Sequence, residues 1–151
     1  MIKLPIGPSE MTHLSTVMKK ISFFQGMSLG DIERFIAITN LYEYKAGKMV
    51  FKKGDVGDAL YVVHSGAVRV VQRLFPFWPA KTLARLGPGE LFGEMALIDQ
   101  PYRTATVIAE GPTQLFVMLN THFNELLRAN PEFSRDLRRI AQERAFETRH
   151  G

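Results

Sequence analysis

Between Met11 and Thr39 the apolar residues recur at steps of three and four: Leu14, Val17, Met18 and Ile21, then Leu29, Ile32, Phe35 and Ile36. That period lays one apolar stripe along a helix. Two amphipathic helices are therefore expected, broken at Gln25-Gly26 and restarted behind Ser28, whose hydroxyl suits a helix N-cap. After Asn40 the pattern changes to short β-rich runs, near 41–44, 49–51, 59–64, 67–74, 81–86, 90–92, 103–109 and 114–118. Turn residues separate them, among them Gly47-Lys48, Gly54-Asp55, Gly57-Asp58, Ser65-Gly66, Gly87-Pro88-Gly89 and Gly111-Pro112. About eight short strands with glycine turns predict a jelly roll or a small barrel. The helical period returns at Phe123, Leu126 and Leu127, pauses at Asn130-Pro131, and resumes at Phe133, Leu137, Ile140 and Ala141. Asn130 is a candidate cap, with Pro131 at the first helical position. The fold expected is mainly β with flanking helices: a flexible leader over 1–10, helices over 11–39, an eight-stranded β-region over 40–118 and C-terminal helices over 119–148.

Composition narrows the classes without choosing among them. The 151 residues form one domain by length, with no apolar run long enough to span a membrane. No cysteine is present, which excludes disulfides, thiolate metal sites and a cysteine nucleophile and is compatible with a cytoplasmic protein. The formal charge of +4 arises largely from a C-terminal stretch in which Arg128, Arg135, Arg138, Arg139, Arg144 and Arg149 alternate with acidic residues. Mixed charge at helical spacing describes a solvated helix face, so it does not by itself point to nucleic acid.

The segment 92–107, FGEMALIDQPYRTATV, carries the chemistry. Glu94 and Arg103 stand nine positions apart around a short apolar stretch with a proline turn. A guanidinium grips a phosphate through two parallel hydrogen bonds. A carboxylate beside a bare phosphate would repel it by about 1–4 kcal/mol at about 4 Å. The pair makes sense if the ligand also presents a donor there, as the ribose 2′-hydroxyl of a cyclic nucleotide monophosphate does. The bland alternative is a structural Glu94–Arg103 ion pair. Around the pair, Gly93 permits close backbone approach, and residues 95–98, beginning with Met95 and Ala96, can form one helical turn with N–H groups facing an anion. Thr104 offers a hydroxyl to the phosphate or to a guanine, and Ala105 a backbone donor. Val62, Val70, Val71 and Leu86 are expected in the barrel core, with Val62 and Leu86 also candidates to line the base and sugar pocket. Gly54, Gly57, Gly66, Gly87 and Gly89 read as turns with positive φ, since their spacing fits neither a Walker loop nor a GxGxxG fingerprint.

This stretch resembles the phosphate-binding cassette of the cyclic-nucleotide-binding domain family, in register through Gly93-Glu94, Ala96-Leu97, Arg103 and Ala105-Thr106-Val107. The resemblance continues upstream through KKGDVGDALYVVHSGAVRVV and ARLGPGELFGE and covers about 22–144. One departure is that Tyr102 stands directly before Arg103, where the family usually has the proline that here is Pro101. The resemblance implies an eight-stranded jelly roll, a phosphate held by Arg103, a ribose contact from Glu94 and a C-terminal lid helix. It also implies that Arg144, four residues after Ile140 on the inward face, stacks on the purine. The ligand expected is cAMP, with cGMP left open by Thr104 and a cyclic dinucleotide also open. No other cofactor is expected.

Other functions are weaker. The four histidines, His13, His64, His122 and His150, are dispersed, and one barrel histidine is too few for a cupin-type metal enzyme. No nucleophile, base and orienting acid line up, so a non-enzymatic sensor is expected. Only 33 residues follow Met118, too few for an added DNA-reading domain, so direct DNA binding is not expected. The outputs consistent with the sequence are an effector protein, a homodimer, or a channel or kinase to which the sensor is joined. The turn FPFWP over 75–79 stands where a hairpin would ordinarily be polar. Its rings either fold back on the protein or form a docking surface, and the latter would suit a degenerate-pocket interaction module.

Overall fold

The computed structural model describes residues 1–20, 28–73, 76–93, 101–131, 134, 135 and 139. Its strands are β1 (Ile2–Leu4), β2 (Asn40–Tyr44), β3 (Met49–Phe51), β4 (Ala59–Ser65), β5 (Val68–Gln72), β6 (Lys81–Leu86), β7 (Leu91–Phe92), β8 (Thr106–Ala109) and β9 (Thr113–Leu119). Its helices are α1 (Pro8–Lys20), α2 (Leu29–Ile38) and α3 (Asn120–Ala129). All strand pairings are antiparallel. One sheet runs β1-β2-β9-β4-β7 and the other β3-β8-β5-β6.

Strands β4 and β9 explain why the molecule has two cores. A sheet buried on both faces has no polar side, and the period of two then divides a continuous apolar run between two environments. In β4, Leu60 and Val62 join the helices, packing with Leu14, Val17, Met18, Phe35 and Phe123. Ala59, Tyr61 and Val63 face the second sheet, with Val68, Phe92, Val107 and Ala109. Likewise Phe116 and Met118 of β9 point to the helices, while Leu115 and Val117 point into the barrel. Val62 is therefore on the helix side, not on the wall of the barrel interior where the sequence reading put it. Leu86 and Val70 do pack against the interior cluster.

The first ten residues form no loose leader. Ile2, Lys3 and Leu4 pair with Glu43, Tyr42 and Leu41, continuing the sheet over what would otherwise be an open edge of β2. Pro8 opens α1, where its missing N–H costs nothing, and Gly7 N donates to Glu10 Oε2 at 3.1 Å, the back-reaching half of a capping box. Ser28 caps α2, accepting from Asp31 N at 3.1 Å. The expected break at Gln25-Gly26 lies outside the described residues. Gly54, Gly66 and Gly89 take positive φ as expected, Gly57 and Gly87 do not, and Gly93 joins the set. Among the described glycines Gly66 is the most constrained, since a Cβ there would meet the Pro112 carbonyl at 2.5 Å. After α3, Ser134 N donates to Asn130 O at 3.1 Å, the spacing of a helix restarting at Pro131.

Helix α1 is joined to the barrel by a polar contact between histidines distant in sequence. His13 Nδ1 and His64 Nδ1 lie 2.5 Å apart, so one ring donates and the other accepts, and His64 also packs on Phe116. Burial, and next the charge of His13, lower the His64 pKa from its usual 6.5, while Glu10 acts in the opposite direction. A histidine with a lowered folded pKa binds fewer protons folded than unfolded. Its contribution is complete above the unfolded value and is lost as pH falls through 6.5 toward the folded value. The urea midpoint should accordingly drop on acidification below pH 6.5, and His64→Gln should flatten that part of the profile. A His64→Gln profile as steep as the parent's would exclude the pair as the source.

Candidate functional site

The site is built on a loop and a strand approach that hold each other by their backbones. Residues 52–55 form a turn in which Asp55 N donates to Lys52 O and Lys52 N to Asp55 Oδ2, both at 3.0 Å, with Gly54 at φ +93°. Gly54 N then donates to Arg103 O at 2.9 Å, Arg103 N to Asp55 O at 2.7 Å and Gly57 N to Pro101 O at 2.8 Å. A bridge between Val56 and Tyr102 closes the row. Residues 101–103 are thus bonded to this loop, and β8 begins only at Thr106, three residues later than the sequence pattern predicts. The Tyr102 side chain points outward.

This clamp aims the Arg103 side chain into the barrel, where the residue is only 5% exposed. Nη1 donates to Gly93 O at 2.9 Å and Nη2 to Ala59 O at 2.8 Å. The guanidinium carbon stands 4.1 Å from the Phe51 ring centre and 5.7 Å from that of Tyr61. Phe51, Tyr61 and Phe92 make an aromatic floor, the last two stacked 5.0 Å apart with planes 7° from parallel. Carbonyl dipoles and π faces orient a cation without cancelling its formal charge. Burial raises the pKa of Tyr61, against the pull of Arg103, and burial likewise raises Tyr44. Both phenols therefore stay neutral near pH 7. Asp58 Oδ1 lies 3.8 Å from Nη2, but its side chain is 77% exposed, so water weakens that attraction.

Gly93 has a sharper reason to be glycine than closeness to a ligand. Its φ is +82°, and a Cβ would meet Arg103 Nη1 at 2.9 Å, Tyr61 Cδ2 at 3.1 Å and Ala59 O at 3.3 Å. The residue thus gives its carbonyl to the guanidinium and leaves room for it. Thr104 is exposed and Ala105 half-buried, both directly after Arg103. Glu94, Met95, Ala96 and Arg144 lie outside the described residues.

The sequence reading missed four contributors. Phe51, Tyr61 and Asp58 touch or approach Arg103, and only the inward alternation of β3 and β4 hinted at the first two. Asn120, at the start of α3, gave no signal. Its Nδ2 donates to Gly57 O at 2.7 Å and its backbone N to Asp58 O at 2.9 Å. The loop that clamps Arg103 on one side is therefore bonded to α3 on the other. Among the described residues no group of three or more His, Cys, Asp or Glu could hold a metal ion.

Comparison with known proteins bears on this arrangement. The family model described as "Cyclic nucleotide-binding domain" matches residues 41–130. A cyclic AMP receptor protein of Thermus thermophilus is 35% identical over 130 residues, covering 86% of this chain and 60% of that protein. A cGMP-dependent protein kinase of Caenorhabditis elegans is 31% identical over 112 residues, covering 74% of this chain and 14% of the kinase. The crystal structure of a cyclic nucleotide-binding domain from Methylobacillus flagellatus superposes with a TM-score of 0.79 at 25% identity, covering 99% of this chain and 84% of that one. The chain thus spans 60% or less of the length of these two sequence relatives.

Two substitutions separate the parts of the clamp. Gly93→Ala should cost about 1–3 kcal/mol, from a strained backbone and a displaced guanidinium. Asn120→Ala removes one hydrogen bond and should cost about 1 kcal/mol. Urea denaturation of both variants checks the order; a Gly93→Ala protein as stable as the parent would contradict the close packing around Arg103.

Proposed function

The chain belongs to the cyclic nucleotide-binding domain family, and on that premise we propose that it is a non-catalytic sensor of a 3′,5′-cyclic nucleotide, cyclic AMP in particular. The observation that carries the proposal is the Arg103 guanidinium, charged and oriented inside the barrel beside Gly93, at the start of the segment that holds Glu94. The phosphate is taken by Arg103, with the Ala105 amide and the Thr104 hydroxyl adding neutral donors. Glu94 accepts the ribose 2′-hydroxyl. The sugar and base lie along the apolar interior that includes Leu86 and Val70. The choice of cyclic AMP is supported by the Thermus relative, which is named for that ligand. The relative named for cyclic GMP keeps the guanine alternative in the test.

Binding signals only if the ligand prefers one arrangement of the protein over another. The route favoured here runs from Arg103 through the loop 54–58 to Asn120 and α3, and onward to the helical residues after Pro131. Arg144 then covers the purine, where a flat guanidinium stacks on adenine or guanine alike. The partner that reads this movement is an effector protein, a second copy, or a further part of a longer polypeptide.

Calorimetry with cyclic AMP, cyclic GMP and a cyclic dinucleotide tests the site. Saturable binding without release of 5′-nucleotide is expected. Arg103→Ala should cost about 2–5 kcal/mol of binding free energy. Glu94→Ala should cost less and should erase the preference for ribose over 2′-deoxyribose. Hydrogen exchange over residues 131–146 should slow on binding. Unchanged affinity in both variants would overturn the site assignment, and exchange indifferent to ligand would overturn the lid.

A further inference from the structure

The hairpin joining β5 to β6 ends in a tip for which the nucleotide site has no use. Phe77 is 99% exposed and Trp78 64% exposed, so both rings present most of their surface outward. They lie between Pro76 and Pro79, whose rings fix two backbone angles of the turn. Arg73 Nη1 donates to the Trp78 carbonyl at 2.5 Å, tying the turn across its base. The aromatic pair is thus presented on a constrained scaffold, which lowers the ordering cost of using it.

Charge along the hairpin is unevenly placed. Lower down, Arg69 and Arg85 share Glu110, at 3.6 Å and 2.5 Å. Toward the tip, the nine residues 73–81 contain Arg73 and Lys81 and no carboxylate. Leu83 is exposed on β6, at the edge of its sheet, so the apolar surface extends a short way down the hairpin.

We propose that this tip is a peripheral membrane anchor, seating Phe77 and Trp78 in the interfacial layer of a bilayer that contains anionic lipid, with Arg73 and Lys81 at headgroup level. A convex aromatic tip needs a concave apolar receptor on a protein, whereas a lipid interface deforms around it. Aromatic rings, tryptophan above all, favour that interface, and flanking cations favour a negative leaflet. A second copy offers a poorer match. The groove between α1 and α2, lined by Met11, Ser15, Lys19, Glu33 and Ile36, balances one cation with one anion and gives the two cations of the tip no excess negative charge. With two rings and two cations the attachment is weak, reversible and salt-sensitive. It is also separate from nucleotide binding.

Trp78 is the chain's only tryptophan, so its emission reports on the tip alone. The full chain is titrated with vesicles of phosphatidylcholine and with vesicles that also contain phosphatidylglycerol. With the anionic vesicles the emission should shift to the blue and acrylamide quenching should fall, at an apparent partition at least about tenfold above that for the neutral ones. Phe77→Ser keeps the reporter and should weaken partition severalfold without altering cyclic-nucleotide affinity. Lys81→Glu should abolish the preference for anionic lipid. Emission unmoved by anionic vesicles, or a shift equally large in Phe77→Ser, would overturn the proposal. A blue shift that follows protein concentration without lipid would overturn it too, assigning the tip to contact between copies.

Discussion

The arrangement turns on one buried guanidinium. Placing a full charge in an apolar barrel is costly unless fixed dipoles replace the water it loses. For Arg103 those dipoles come from the Gly93 and Ala59 carbonyls, and the faces of Phe51 and Tyr61 fill the space beneath. The surrounding features follow from that requirement. Gly93 must lack a side chain, the loop 54–57 must pin the Arg103 backbone, and the inward positions of β3, β4 and β7 must be aromatic. A phosphate entering such a place meets a cation already oriented, with little reorganisation left to do.

The same construction explains how a binding site can be connected to a helix without touching it. Residues 54–59 are shared: one end is bonded to the Arg103 backbone, Ala59 holds the Arg103 side chain, and Gly57 and Asp58 accept from Asn120. A shift of the guanidinium toward a ligand alters bonds on a segment that α3 also holds. Since α3 packs Phe123 edge-on against Phe35 of α2 at 5.3 Å, any motion there is felt in the helical core.

Much of the fold was legible because strands buried on both faces and amphipathic helices leave different periods. The runs 59–64 and 114–118 were recognisable as strands from apolar content, and Ser28 as a cap from its position before Leu29. What failed were assignments that depend on which face a residue turns to or on a partner far away in sequence. Val62 belongs to the core, as its apolar run implies, yet strand alternation sends it to the helices and its neighbour Tyr61 to the site. The first ten residues looked like a leader because two prolines and a glycine punctuate them, although the open edge of β2 recruits Ile2–Leu4 as a strand. Spacing and motif single out Arg103, but apart from the Gly93 carbonyl ten residues away the bonds that position it connect residues more than forty places apart, and no local pattern records them. The same holds for His13 and His64, which read as isolated and meet only through the packing of α1 on β4.

The central claim is that Arg103 is the anchor for the phosphate of a cyclic nucleotide. A crystal structure of the chain with cyclic AMP tests it most directly. The account predicts phosphate oxygens within about 3 Å of the Arg103 guanidinium nitrogens, with the ribose hydroxyl on Glu94. A well-occupied nucleotide elsewhere on the barrel, with no phosphate oxygen at the Arg103 guanidinium, would contradict it.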